Sequence, residues 1–164
     1  MKAIVTVGLP ACGKSTYARR LEKAGWDVLE RDRIRQEIMM EREQEFSWEA
    51  WDLIDEDEVT QRFEARLTWL IQQRRSFIIS DTNLNESRRS ALVGLLRDKG
   101  VDVSVVLFDV PFRDLRARNA ARGGFAVPYS AWVRLIPLWK AASARCRENR
   151  MIRVTQVPAV LAAA

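Results

Sequence analysis

The chain has 164 residues, 48% of them hydrophobic, and carries 27 Lys and Arg against 22 Asp and Glu, which fits one domain with a buried core and a mild preference for anionic partners. It contains no histidine, which excludes His-dependent triads, His-ligated metals and imidazole acid/base chemistry, so any proton transfer must use a carboxylate, Lys, Cys, Tyr or water. Cys12 and Cys146 are too few for a disulfide scaffold and read as reduced thiols, and no apolar run approaches membrane-spanning length, so a soluble cytoplasmic protein is expected.

In chain order the elements alternate between strand and helix. Ala3 to Val7 is an apolar run ending at Gly8, as a buried strand should. A helix from Lys14 to Lys23 follows, then a strand from Trp26 to Glu30 and a helix over 32–40. Val59, Phe63, Leu67, Leu70 and Ile71 recur at helical spacing and give a longer helix one apolar face. Phe77-Ile78-Ile79 is the third strand, Glu86 to Lys99 a helix stopped by Gly100, and Val101 to Phe108 the fourth strand. Helices over 113–122 and 130–149 precede a short strand and a tail. This alternation predicts an α/β domain with a mainly parallel sheet.

Charge is unevenly spread along these elements. Residues 41–64 hold 10 acidic and 2 basic side chains, whereas residues 110–164 hold 10 basic and 2 acidic ones. The stretch from Glu41 to Glu58 reads as a solvated helical face, because its acidic run has no glycine of the kind a cation-binding loop requires. Arg113 and Arg116 read as solvated, and Cys12 as a small loop-filling side chain.

The strongest chemical signal lies where the first strand meets the first helix. Gly8-Leu9-Pro10-Ala11-Cys12-Gly13-Lys14-Ser15, followed by Thr16, matches G-x-x-x-x-G-K-[ST] between a strand and a helix. Glycines at 8 and 13 let the backbone curl so that its N–H groups, with the helix dipole, face a nucleotide phosphate. Gly8, Ala11, Cys12, Gly13, Lys14, Ser15 and Thr16 are therefore the nucleotide-binding set, with Lys14 at the β- and γ-phosphates and Ser15 as a hydroxyl ligand for Mg²⁺. In open α/β sheets ligands sit at the carboxyl ends of the strands, which directs attention to Arg31-Asp32-Arg33-Ile34-Arg35, Ser80-Asp81-Thr82-Asn83-Leu84-Asn85 and Phe108-Asp109-Val110-Pro111.

Together with Arg88-Arg89, Arg118-Asn119, Arg122-Gly123 and Ala126-Val127-Pro128, these segments resemble, in order from residue 1 to about 135, the 5′-kinase domain of phage polynucleotide kinase. The Asp-Thr-Asn-Leu-Asn string at 81–85 is far more specific than the phosphate loop alone. The resemblance implies a P-loop kinase fold, with a central mainly parallel sheet flanked by helices and an Arg-bearing lid helix. It also implies ATP as donor, Mg²⁺ as cofactor and the 5′-hydroxyl end of DNA or RNA as acceptor. By the same resemblance Asp32 is the general base, Arg35 holds the phosphate beside the acceptor nucleoside and Arg122 contacts the ATP phosphates from the lid. Asp81 supports the loop, and Val127 with Pro128 flanks the acceptor base. One domain over residues 1–164 is expected, with a lid region at about 113–128 and a C-terminal tail at about 155–164.

Elementary chemistry is consistent with those roles. A carboxylate with a pKa of about 4 cannot deprotonate a sugar hydroxyl beforehand, but in a loose phosphoryl-transfer transition state it need only align the hydroxyl and accept its proton late. Asp32 can alternatively be read as the N-cap of the helix it opens. Arg118, one helical turn before Arg122, is placed on the same face and near the nucleotide, while Gly123-Gly124 provides a hinge or helix stop. Asp81 reads either as an acid reaching Mg²⁺ or as the cap of the following turn.

The chain departs from the resemblance over residues 41–75, and it lacks the Asp-x-Asp-Gly-Thr of a phosphatase nucleophile loop, so no 3′-phosphatase activity is expected. Of the tryptophans, Trp26, Trp69, Trp132 and Trp139 read as core, leaving Trp48 and Trp51 as the only candidates for surface stacking, a reading weighed against ordinary packing. Two other function classes remain open on sequence alone: a P-loop kinase for another hydroxyl, in a modified base or a small metabolite, and a nucleotide-gated binding module without transferase activity.

Overall fold

A computed structural model describes residues 1–148 and the backbone of 152–155; the expected tail beyond them lies outside the described residues. Five strands, β1 (Lys2–Val7), β2 (Asp27–Leu29), β3 (Phe77–Ile79), β4 (Asp102–Phe108) and β5 (Ile152–Thr155), form an all-parallel sheet of order β2-β3-β1-β4-β5. Strands covered on both faces should be continuously apolar, and all of Phe77, Ile78 and Ile79 are buried, as are Val5 and Val7 of β1. In register, Val5 of β1 lies between Ile79 of β3 and Val105 of β4.

The helices are α1 (Lys14–Lys23), α2 (Arg31–Glu41), α3 (Trp48–Asp52), α4 (Glu56–Gln72), α5 (Glu86–Asp98), α6 (Phe112–Ala120) and α7 (Tyr129–Glu148). The connection from β1 to β2 runs one way along the sheet and that from β3 to β4 the other. Right-handed crossovers therefore place α1 on one face and α5 on the opposite one, opening a crevice at the carboxyl edge. Helix α4 presents Val59, Phe63, Leu67 and Leu70 to the core, as its spacing predicts.

Several expectations need correction. The acidic stretch is not one solvated helical face: α2 ends at Glu41, an irregular link leads to the five-residue α3, and α4 starts afresh at Glu56 with Asp55 capping its Asp57 N–H. Its carboxylates are paired, Glu41 and Glu58 with Arg62, and Glu58 also with Arg42. Trp69 is 51% exposed on the outer side of α4, so apolarity there does not mean burial, and Trp26 lies just before β2 outside the central core. Trp132 is in the core and Trp139 packs against it.

Helix α6 stops at Ala120, so Arg122 is not on its face beside Arg118. It opens a short 3₁₀ turn, Gly123–Phe125, in which Gly123 adopts φ 58. The physical reason is the Gly123-Gly124 pair, which favours the left-handed turn over another helical residue. No helix among the described residues is long and apolar enough to cross a membrane.

Candidate active site

The phosphate loop leaves β1 at Gly8 and enters α1 through Gly13, whose φ of 101 only glycine adopts without strain. At Gly8 the constraint is space: a Cβ would lie 2.7 Å from Cys12 Sγ and 3.1 Å from Phe108 Cβ. Cys12 is buried in the loop and unpaired as a disulfide, which matches its reading as filler. Ala11 also holds a left-handed φ of 60, a strain the surrounding loop maintains.

Lys14 is buried, and its Nζ donates to the carbonyls of Gly8 at 3.1 Å and Leu9 at 2.8 Å. The ammonium thus closes the loop on itself. Ser15 Oγ donates to Glu30 Oε1 at 3.0 Å, and Glu30 sits at the carboxyl end of β2 with only 9% of its surface exposed. Burial pushes the Glu30 carboxyl above the usual range, against the Ser15 hydrogen bond that favours ionisation, and the negative charge of Asp32 pushes the same way.

The Asp81-to-Asn85 string proves to be a brace. Thr82 carbonyl accepts the Gly8 N–H, Asn83 Nδ2 donates to the Thr6 carbonyl at 2.8 Å, and Arg89, itself buried, donates to the Asn83 carbonyl at 2.8 Å. Leu84 is buried and Asn85 Oδ1 caps α5 through the Arg88 N–H. Asp81 Oδ1 accepts the backbone N–H of Arg31, one of the free donors at the start of α2, so it caps that helix and not the turn after β3. Burial, joined by the charges of Asp32 and Glu30, pushes Asp81 up to about 7 although the Arg31 N–H pulls it down.

Asp32 lies in the first turn of α2, where Glu30 occupies the cap position, so Asp32 is not the N-cap. Its carboxylate is 63% exposed and accepts from Arg35 Nη1 at 3.0 Å. Arg35 also donates through Nε and Nη2 to Glu56 Oε1 and lies over the Trp51 ring at 5.5 Å. Two of its five N–H donors remain for a ligand. Arg31, by contrast, is spent on structure, donating to Thr60 Oγ1 and stacking on Phe63.

The lid presents a division of labour that sequence alone does not show. Arg118 on α6 has both Nη1 and Nη2 buried with no partner among the described residues. A buried guanidinium nitrogen left without a partner is costly to the fold. Arg122 is exposed and its side chain makes no hydrogen bond or ion pair among the described residues. Val127 is fixed by Asn119, which exchanges two hydrogen bonds with its backbone at 2.9 and 3.0 Å. Thr16 is half-buried at the start of α1 and Arg113 is exposed, as expected.

Lys14, Ser15, Glu30, Asp32, Arg35 and Asp81 thus gather at one carboxyl edge. Glu30 and Glu56 were not singled out from sequence, and Asn119 was named only as part of the segments that carry the resemblance. The signal for Glu30 was its place as the last residue of the predicted second strand, at the edge where ligands bind. Glu56 gave none, because only folding brings α4 against α2.

A glycine-shaped phosphate loop that opens α1 at the carboxyl end of β1, in an all-parallel five-stranded sheet flanked by helices, defines a P-loop kinase-type fold. The chain belongs to the AAA domain family, whose model matches residues 4–135. It is similar to a chain of the Pnkp1/Rnl/Hen1 complex, with 26% identity over 71% of this chain, 39% of that one and a TM-score of 0.57. In fold it also resembles a gluconokinase from Sinorhizobium meliloti 1021, with 18% identity, 97% and 85% of the two chains covered and a TM-score of 0.56. The same holds for the PezAT chromosomal toxin-antitoxin system of Streptococcus pneumoniae, with 18% identity, 94% and 67% covered and a TM-score of 0.66.

Proposed function

We propose that this domain, as one unit over residues 1–164 with its lid at about 113–128, transfers the γ-phosphate of ATP to the 5′-hydroxyl end of DNA or RNA. The observation that carries the reading is the Asp32–Arg35 pair, an exposed carboxylate held at 3.0 Å by an arginine with donors to spare, two residues from the carboxylate that binds Ser15. The chain's likeness at 26% identity to part of a chain of the Pnkp1/Rnl/Hen1 complex stands beside this reading, which rests on the residues themselves. The free buried thiols fit a reducing, cytoplasmic setting.

In this reading the donor binds first to groups already in place. The loop N–H groups of Ala11 to Thr16 surround the phosphates, and Lys14 exchanges the Gly8 and Leu9 carbonyls for phosphate oxygens, a stronger charge-assisted pairing. The buried Nη atoms of Arg118 take a further phosphate oxygen, and Arg122 adds positive charge at the lid rim. The Ser15 hydroxyl and Glu30 carboxylate are hard oxygen donors 3.0 Å apart, a set that suits Mg²⁺ shared with nucleotide phosphates: Ser15 would hold the ion and Glu30 would orient the hydroxyl. When bound, Mg²⁺ neutralises charge developing on the transferred group.

Asp32 then aligns the acceptor hydroxyl in line with the γ-phosphorus and takes its proton as the bond to the leaving group breaks. Arg35 fixes Asp32 and directs its two remaining N–H donors at the neighbouring acceptor phosphate, while Asp81 holds the first turn of α2, and so Asp32, in place. Incubation with γ-labelled ATP should place label on a 5′-hydroxyl oligonucleotide. Asp32→Asn should lower transfer about 10²- to 10⁴-fold while leaving ATP binding unchanged. Label appearing only on an oligonucleotide with a blocked 5′ end and a hydroxymethylated base, or ATP-driven binding with no transfer, would overturn the proposal.

A further inference from the structure

Four aromatic rings from segments far apart in sequence meet beside Arg35. Phe46 lies 5.4 Å from Trp48, 5.7 Å from Trp51 and 4.6 Å from Phe125 between ring centroids, and Trp48 and Trp51 are 6.0 Å apart. Phe46, Trp48 and Trp51 belong to the link and short helix between α2 and α4, whereas Phe125 closes the 3₁₀ turn of the lid, two residues before the Asn119-bound Val127. The cluster therefore spans the crevice from the Asp32 side to the lid.

Stability alone does not account for this arrangement. Phe125 is 53% exposed and both tryptophans keep part of their surface in solvent, so the cluster buries less apolar area than four large rings permit. Its surroundings are acidic: α3 carries Glu49 and Asp52, and Glu56 stands beside Trp51 on Arg35. Such a surface repels a phosphate backbone but accepts an uncharged flat ring. Trp51 and the Arg35 guanidinium already stack, and Arg35 in turn holds Asp32.

We infer that Phe46, Trp48, Trp51 and Phe125 form a stacking clasp for the nucleobase of the acceptor's 5′-terminal nucleotide, with the lid supplying one jaw through Phe125. This deepens the proposed 5′-kinase reading and rests on it for the orientation of the acceptor. The base stacks on the solvent-facing side of the packed rings, the phosphate on its 3′ side meets Arg35, and its 5′-hydroxyl reaches Asp32. Because the contact is with a π-face, every base is accepted, and because the base is uncharged and releases no counterions, this part of binding is little affected by salt, unlike phosphate contacts.

The test compares a single-stranded 5′-hydroxyl oligonucleotide with the same strand carrying an abasic 5′-terminal residue, using both tryptophan fluorescence and label transfer. The wild type should bind and phosphorylate the base-bearing strand with a Kd and KM roughly five- to hundredfold lower than the abasic one. Trp51→Ala, and separately Phe125→Ala at an exposed position where folding is not at issue, should remove that difference by raising KM only for the base-bearing strand, with kcat little changed. Trp51→Phe should restore most of it. Equal KM values for the two strands in the wild type, or equal losses on both strands in the variants, would overturn the inference. Base-dependent quenching without any phosphorylation would keep the clasp and defeat the kinase reading; phosphorylation without base dependence would do the reverse.

Discussion

The two sides of the crevice are built from different materials. On the donor side, the phosphate loop and the Asp81–Asn85 turn are joined by backbone geometry and buried hydrogen bonds: Gly8 N–H to Thr82, Thr6 Oγ1 to the Asp81 carbonyl, Asn83 to Thr6 and Arg89 to Asn83. On the acceptor side, α2 and α4 are held across their outer surfaces by ion pairs such as Arg62–Glu41, Arg66–Glu37 and Arg35–Glu56. Buried polar networks have one satisfied arrangement and penalise any other, whereas an exposed pair contributes about 0.2–1 kcal/mol and re-forms easily. A rigid phosphate cradle facing a more adaptable wall is what the proposed transfer from one triphosphate to varied strands would call for.

The comparison can be broken most strongly through pH. Asp81 is held at about 7 against an ordinary value of 3.8, so the folded state binds a proton that the unfolded chain releases between those values, and Glu30 is shifted the same way. Folded stability should therefore be fully present below about pH 4 for this term and fall as pH rises through 7, by about 4 kcal/mol at the limit. Denaturant melts across that range should flatten in Asp81→Asn, whereas a matching slope in both proteins would show that the donor-side brace does not bury that charge.

Next in size is the steric test. Gly8→Val should lose about 3 kcal/mol, roughly 10 °C in Tm for a chain of this length, since its Cβ meets Cys12 Sγ and Phe108. Gly94→Ala on α5, where a Cβ meets nothing within 4 Å, should instead stabilise by about 0.5–1 kcal/mol. Arg118→Met separates binding from stability. It should weaken ATP binding by about 2 kcal/mol, some thirtyfold by calorimetry, yet leave the nucleotide-free Tm unchanged or raised, because it removes an unpaired buried charge. A fall in the nucleotide-free Tm would mean that Arg118 has a structural partner instead. The smallest effect belongs to the acceptor wall: Glu41→Gln should cost less than 1 kcal/mol, shrinking further in high salt.

Much of this was legible in the sequence because it depends on local geometry. The alternation of apolar runs with helical periodicity placed the strands and most helices to within a residue or two, but missed α3 and gave α4 no bounds, and the Gly8-to-Ser15 spacing located the loop between β1 and α1. The segment holding Asp32 and Arg35 was legible from its place at the carboxyl end of the second strand, and the roles proposed for the two residues came from the resemblance. The limits of α6 were not: Arg118 and Arg122 have turn spacing, but Gly123 ended the helix early and separated a buried arginine from an exposed one. Trp69 misled for a related reason, since an apolar side chain next to a core face need not point into it.

What the sequence determined by itself, then, is what short-range constraints dictate: an α/β order of elements, a glycine-shaped phosphate loop, and the exclusion of imidazole chemistry by the absence of histidine. Only the tertiary structure decided that Glu30 meets Ser15, that Asp81 caps α2 across 50 residues, that Glu56 anchors Arg35 and that Phe125 joins Phe46. Those pairings depend on which faces the crossovers bring together, and the distance between two residues along a chain carries no information about that until the chain has folded.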